Sequence, residues 1–446
     1  MLGLKPTLDS IRDLVRNRNL AVLMATQTLF MFTAFLWWPY RSLFIMELGA
    51  SVETLGLVLT VETIANILFQ YPGGVLTDRW GRRRMLLIAG ALRALSPLFY
   101  LLATNWLQVI PGIILASAGM LGLPANNALI AESLPPEKRG TGFSAYRTVT
   151  STPTIVTALL GGVVMDRLGV LRGCRLILLG SLAAAILSLA LRWLYITETL
   201  DPKEHPSQSH TGPLSALKGL PKTVWLLVAV GAISMFATRV MMSFMVVYGV
   251  EVVGLTKTQW GLIGTVVSLL TTAITTPAGI LADKMGKKPL ILASRILGST
   301  SILLYTLANS FTHMLLVRGL TGIAGGLGGA MWGPMGGPLW QALVADASPP
   351  RERGKVMGLI GTVGSLVSSP ASWLGGYMFD NVSPKLPFQT SFALDMLGTA
   401  LLLAYLKPQQ QGGGGVTQPR RFTAPPAEKT PKTPQNGTRF SQNPGG

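Results

Sequence analysis

Apolar residues in this chain run in long, nearly unbroken blocks, and the polar positions collect in short links between them. A helix that crosses a bilayer core of about 30 Å needs about 20 mostly apolar residues. On that criterion the first half holds six spans, near 20–46, 54–76, 85–103, 106–130, 143–165 and 175–197. The second half holds six more, near 223–249, 258–281, 289–308, 312–345, 355–379 and 388–406. Blocks of this length in lipid must satisfy their backbone groups internally, so helices are predicted throughout. The expected fold is all-α, with twelve transmembrane helices in two six-helix bundles.

The links are not alike. Lys5, Arg12, Arg16 and Arg18 precede the first span, Arg79, Arg82, Arg83 and Arg84 follow the second, and Lys138 and Arg139 follow the fourth. Lys203, Lys218 and Lys222 follow the sixth, Lys284, Lys287 and Lys288 the eighth, and Arg351, Arg353 and Lys355 the tenth. The alternate links hold only Arg167, Arg172, Arg175, Lys257 and Lys385. Basic loops stay on the cytoplasmic side, so both termini are expected there, in a multi-pass protein of the plasma or inner membrane. The expected divisions are a cytoplasmic segment 1–18, a bundle 19–197, a Pro-rich cytoplasmic linker 198–222 and a second bundle 223–406. A Gln/Gly/Pro/Thr tail, 407–446, lacks apolar periodicity and is expected to be disordered.

Composition agrees with this picture. Only 13% of the 446 residues are charged while 49% are hydrophobic, a balance that leaves too little polar cover for a soluble globule. An enzyme in solution is therefore excluded. The net charge of +18 is spread over the links rather than gathered in one patch, so no nucleic-acid partner is expected. The single Cys174 permits no internal disulfide, and no Cys/His cluster suggests a metal or other cofactor. No short apolar stretch with a small-residue cleavage site precedes the first span, so no cleaved leader is expected.

The two halves repeat each other. Gly74-Val75-Leu76-Thr77-Asp78-Arg79-Trp80-Gly81-Arg82-Arg83 follows the second span, and Gly279-Ile280-Leu281-Ala282-Asp283-Lys284-Met285-Gly286-Lys287-Lys288 follows the eighth. Ala131-Glu132-Ser133-Leu134-Pro135-Pro136-Glu137-Lys138-Arg139-Gly140 matches Ala345-Asp346-Ala347-Ser348-Pro349-Pro350-Arg351-Glu352-Arg353-Gly354. Gly161-Gly162 with Asp166 matches Gly375-Gly376 with Asp380. In these residues the chain resembles the major facilitator superfamily, whose loop after the second helix carries Gly-x-x-x-Asp-Arg-x-Gly-Arg-Arg. The resemblance covers roughly 15–406. It implies parallel six-helix repeats with a solute site between them near the membrane midplane.

The resemblance also implies roles. Asp78 would sit at the N-terminus of the eleventh helix, near Lys355, as an anion on a positive dipole. Arg82 and Arg83 would reach Glu132, and Asp283 and Lys287 would face the fifth helix and Asp346. With Gly74, Arg79, Gly81, Arg139, Gly279, Gly286 and Arg353 these residues form the expected gate. Such contacts form when the cytoplasmic side closes and break when it opens. Two family patterns are missing. Pro111-Gly112 stands where many proton-linked antiporters carry Arg-x-x-x-Gly in the fourth helix, and the fifth helix lacks Gly-Pro-x-x-Gly-Gly.

Charges inside the spans need partners or a wet cavity. Glu62, Arg41 and Arg239 fall at comparable depth, so Glu62 is expected to pair with Arg41, with Arg239 or with both. Arg318 and Asp395 also share a depth and are expected to pair, whereas Arg93 and Arg295 have no evident partner and Arg192 is expected to snorkel. Thr26, Gln27, Asn66, Asn127 and Gln341 are candidates to line a cavity. Gly333-Pro334-Met335-Gly336-Gly337-Pro338 predicts a kink in the tenth span. With no nucleotide-binding module, energy would come from a proton or other ion gradient. A monomeric carrier exporting a small organic solute is expected. The rivals are uptake of an organic anion through Arg41, Arg239 or Arg318, and a non-transporting assembly factor or sensor on the same fold.

Overall fold

The computed structural model describes residues 14–199, 221–328, 337–349 and 352–405, and no β-strand occurs among them. The expected hinge at Gly333–Gly336, most of the linker and the tail lie outside the described residues. Twelve helical segments follow in order: α1 Arg18–Glu47, α2 Val52–Trp80, α3 Arg82–Leu102, α4 Trp106–Glu132, α5 Pro136–Leu168, α6 Val170–Tyr195, α7 Lys222–Val252 and α8 Lys257–Met285. Then come α9 Lys287–Tyr305, α10 in the pieces Phe311–Leu327 and Pro338–Ala347, α11 in the pieces Arg353–Val367 and Ala371–Asn381, and α12 Leu386–Tyr405. Nine of them are by themselves long and apolar enough to span a membrane. Of the other three, α9 carries Lys287, Lys288 and Arg295, and α10 and α11 are each described in two pieces.

Local signals set the boundaries. Ser51 caps α2 by accepting the Thr54 N–H, and Thr256 caps α8 with a reciprocal bond to Gln259. Both helices stop at a glycine, Gly81 at φ +88° and Gly286 at φ +86°, in a region of backbone space open only to glycine at that ψ. Within each half the pairing is the same: α1 packs on α5 and α6, α2 on α4, and α3 on α4 and α6, while α7 packs on α11 and α12, α8 on α10, and α9 on α10 and α12. Across the halves α2 lies on α11 and α5 on α8.

The face bearing the α2–α3 and α8–α9 loops is here called the basic face. Toward the opposite face a single cluster of buried apolar side chains runs through both halves, from Tyr40, Phe44 and Tyr100 to Phe244, Tyr248 and Tyr305. Toward the basic face the buried cores separate. One, around Leu23, Met85 and Leu129, belongs to the first half, and another, around Val228, Ile291 and Ile360, to the second. The halves are thus joined at one end and parted at the other.

Candidate functional site

Glycines define where the halves meet. A Cβ on Gly56 of α2 would run into the Ser372 carbonyl of α11, and one on Gly376 of α11 into the Val52 carbonyl of α2. The other pair repeats this, with Gly261 of α8 against the Ala158 carbonyl of α5 and Gly162 of α5 against the Lys257 carbonyl of α8. All four lie near the opposite face, and their missing side chains let backbone touch backbone. Polar bonds reinforce the seam. The Tyr40 hydroxyl, wholly buried, lies 2.7 Å from the Ala158 carbonyl and 2.9 Å from that of Lys257. Thr265 donates to the Ile155 carbonyl at 2.9 Å, and Ser42 to that of Ser243 at 3.0 Å. The sequence repeat contains Gly162 and Gly376, whereas Gly56, Gly261 and Tyr40 lie outside it.

On the basic face the same four helices stand apart. A Cβ at Gly74, Gly140, Gly279, Gly354, Gly358 or Gly361 would meet only open space, so the expected gate is not closed at Gly74 and Gly279 in this state. Asp78 is exposed on 64% of its side-chain surface and lies 3.7 Å from Arg82; it makes no ion pair with Lys355, which is also exposed. Asp283 and Arg79 are exposed as well. The motif is instead tied within each half. Arg82 reaches Glu132 at 2.9 Å, and Lys287 reaches Asp346 at 2.6 Å. Arg139 donates to the Ala131 carbonyl at 2.9 Å, and its counterpart Arg353 to the Ala345 carbonyl at 3.0 Å. Arg83 does not join Glu132; it donates to the Trp193 carbonyl at 2.7 Å. Glu198, just past α6, accepts the backbone N–H groups of Arg82 at 2.9 Å and Arg83 at 3.1 Å and so caps α3. No helical pattern surrounds Glu198, which is why sequence reading passed over it.

Inside the spans, Arg41 forms a two-pronged bond to Glu62, at 3.0 and 2.6 Å, with its guanidinium 4.0 Å from the Trp38 ring centre. Glu62 is ten residues from the start of α2, about 15 Å deep. Arg239 does not pair with Glu62. It crosses between the halves to Thr63, one residue on, at 2.6 Å. The expected Arg318–Asp395 pair is absent: Asp395 meets Arg295 at 2.5 Å, with both side chains almost wholly buried. Arg295 further donates to Ser234 at 2.9 Å and Thr399 at 2.8 Å, and Ser299 donates to Asp395. Arg318 approaches the Met245 sulfur at 3.6 Å and the Trp260 ring at 5.7 Å and has no carboxylate partner among the described residues. Arg93 donates to the Gly119 carbonyl at 3.1 Å. Arg192 does not snorkel away but donates to Thr26 at 3.0 Å.

On the basic side of the seam an open groove of about 440 Å³ lies between α1 and α5, lined by Met24, Ala25, Thr28, Leu29, Phe32, Val149 and Pro153. Its wall is apolar, since the Thr28 hydroxyl is spent on the Met24 carbonyl at 2.8 Å. The amides of Gln27 and Asn66, half-buried, and of Asn127, exposed, make no hydrogen bond among the described residues. Thr26 is wholly buried rather than cavity-lining.

A duplicated bundle of apolar helices, sealed at one end, parted at the other and carrying charge pairs buried within its spans, defines a class of helical membrane proteins. The chain belongs to the Major Facilitator Superfamily, whose description matches residues 23–256 and 250–441. It is accordingly a multi-pass membrane protein and a secondary transporter. Among its relatives, the MFS-type transporter MJ1317 of Methanocaldococcus jannaschii is 26% identical over 378 residues, 82% of this chain and 89% of that one. Multidrug resistance protein MdtG of Enterobacter lignolyticus is 26% identical over 298 residues, 65% of this chain and 70% of that one. The crystal structure of a D-xylose–proton symporter shares the fold with a TM-score of 0.67 at 19% identity, covering 90% of this chain and 99% of that one.

Proposed function

We propose that this chain exports a small lipophilic organic solute from the cytoplasm, driven by an ion gradient, and that the basic face is cytoplasmic. The observation that carries the reading is the one-sided seam: glycine contacts bind α2 to α11 and α5 to α8 at the opposite face, while the basic ends of the same helices face open space. With basic loops inside, this is the state that loads from the cytoplasm. The apolar α1–α5 groove suits a lipophilic cargo, and a relative named as a multidrug resistance protein agrees with export.

Glu62 is the candidate coupling group. It is the carboxylate of the central cluster, bonded to Arg41 beside the Arg239–Thr63 bridge, so a change in its charge would act where the halves meet. Counterflow in reconstituted vesicles tests the whole reading, since exchange of a labelled cargo requires alternating access. Absence of exchange across a broad solute library favours a non-transporting role. Glu62→Gln is expected to abolish the pH dependence of uphill transport while sparing exchange; unchanged pH dependence refutes the coupling role.

One observation favours an anionic cargo as the second reading. Arg239 and Arg318 have no carboxylate within ion-pair distance among the described residues, and an uncompensated cation at that depth is costly. Arg239→Gln would then weaken transport of an organic anion at least tenfold and leave a neutral cargo nearly untouched.

A further inference from the structure

The repeat Gly-x-x-x-Asp occurs at the C-terminal end of each of the four helices that meet across the halves: Gly74/Asp78 on α2, Gly162/Asp166 on α5, Gly279/Asp283 on α8 and Gly376/Asp380 on α11. The spacing is one helical turn, so glycine and aspartate share a face. At the opposite face both modules are docked. Gly162 touches the backbone of Lys257, and one turn on, Asp166 accepts the N–H groups of Lys257 at 3.0 Å and Thr258 at 2.7 Å. Gly376 touches Val52 and Glu53, and Asp380 accepts the Glu53 N–H at 2.7 Å. At the basic face neither module is docked on the other half: their glycines lie beside open space and Asp78 and Asp283 are exposed.

The first N–H groups of a helix have no partner within it. Ser51 and Thr256 take only the third N–H of α2 and α8. The first two positions of α8 and the second of α2 are served by a carboxylate from the other half, which also places an anion at the positive end of the helix dipole. Glu53 adds a grip on α11, accepting from Asn381 at 2.9 Å.

We propose that Asp166 and Asp380 are latches that hold the opposite face closed, each completing the N-terminal cap of a helix in the other half, and that both release before that face opens. This rests on the alternating-access reading. Four copies of one module would then be engaged two at a time, so that each closed face is held by equivalent contacts and neither state is favoured by much.

The test uses the full chain in lipid nanodiscs with Cys174→Ser, and spin labels at Arg172→Cys and Val382→Cys, exposed positions near the opposite face in the first and second halves. Asp166→Asn with Asp380→Asn should lengthen the label separation and raise the ratio of open to closed populations about tenfold, with about threefold from each single variant. The singles keep the test available if the double variant fails to fold. An unchanged distance distribution in the single or double variants overturns the proposal. So does an equal opening caused by Asp78→Asn with Asp283→Asn, which would mark a general loss of rigidity. The distances do not depend on any cargo being moved, so a shift without counterflow leaves the latches standing and refutes only the transport reading.

Discussion

Replacing Asp395 with leucine separates a structural ion pair from a coupling site. Arg295 is wholly buried and its guanidinium donates to Asp395, Ser234 and Thr399; Gly398 leaves it room, since a Cβ there would come within 2.8 Å of it. Removing the carboxylate leaves a buried cation whose charge has no counterpart, a loss of about 3–5 kcal/mol. For a unit the size of one half, about 2–4 °C per kcal/mol puts the fall in melting temperature at about 6–20 °C. Replacing both partners with apolar residues of similar volume, Arg295→Met with Asp395→Leu, removes both charges, and such swaps are often neutral or stabilising. Purified unsubstituted, single and paired proteins in one detergent, melted by intrinsic fluorescence, give the stabilities, and counterflow on the same samples gives function. The expected outcome is a low melting point for the single variant, near-recovery in the paired one, and retained ion-coupled transport in the pair. A paired variant as unstable as the single variant refutes the energetic reasoning. A stable pair that has lost ion coupling refutes the structural assignment.

Two further outcomes are expected. Asp78→Asn should slow transport several-fold at unchanged membrane abundance, because the basic face would lose its anion at a helix N-terminus when it closes; an unchanged rate removes that role. Gly261→Leu places a side chain against the Ala158 carbonyl and should hold the opposite face apart, so that a thiol reagent applied from that side reaches a cysteine at Ala158→Cys; protection equal to that in the unsubstituted background refutes it.

Much of the architecture was legible in the chain. Period and length marked the spans because lipid admits only self-satisfied backbone, and the duplicated motif announced two halves. The resemblance implied the Arg82–Glu132 and Lys287–Asp346 contacts, but the expectation that they break when the basic face opens fails, because each lies within one half and is formed here with that face parted. The Arg318–Asp395 expectation failed for a definite reason. Residue counting gives height along a helix but not the direction a side chain takes around it, and α12 packs on α7 and α9, which brings Asp395 to Arg295. Arg239 illustrates the same limit: its depth matched Glu62, yet its bond goes to Thr63.

Asp166 and Asp380 were visible as repeated letters, but their use depends on where the other half begins a helix. Hydropathy and local caps are properties of short stretches, and the sequence by itself determined these: which segments enter lipid, where α2 and α8 stop at Gly81 and Gly286, and that the two halves are copies. Which buried arginine meets which carboxylate, and which end of the bundle is sealed, was decided only by tertiary packing. Those depend on the angular placement of helices far apart in the chain and on the balance between two packings of the same surfaces.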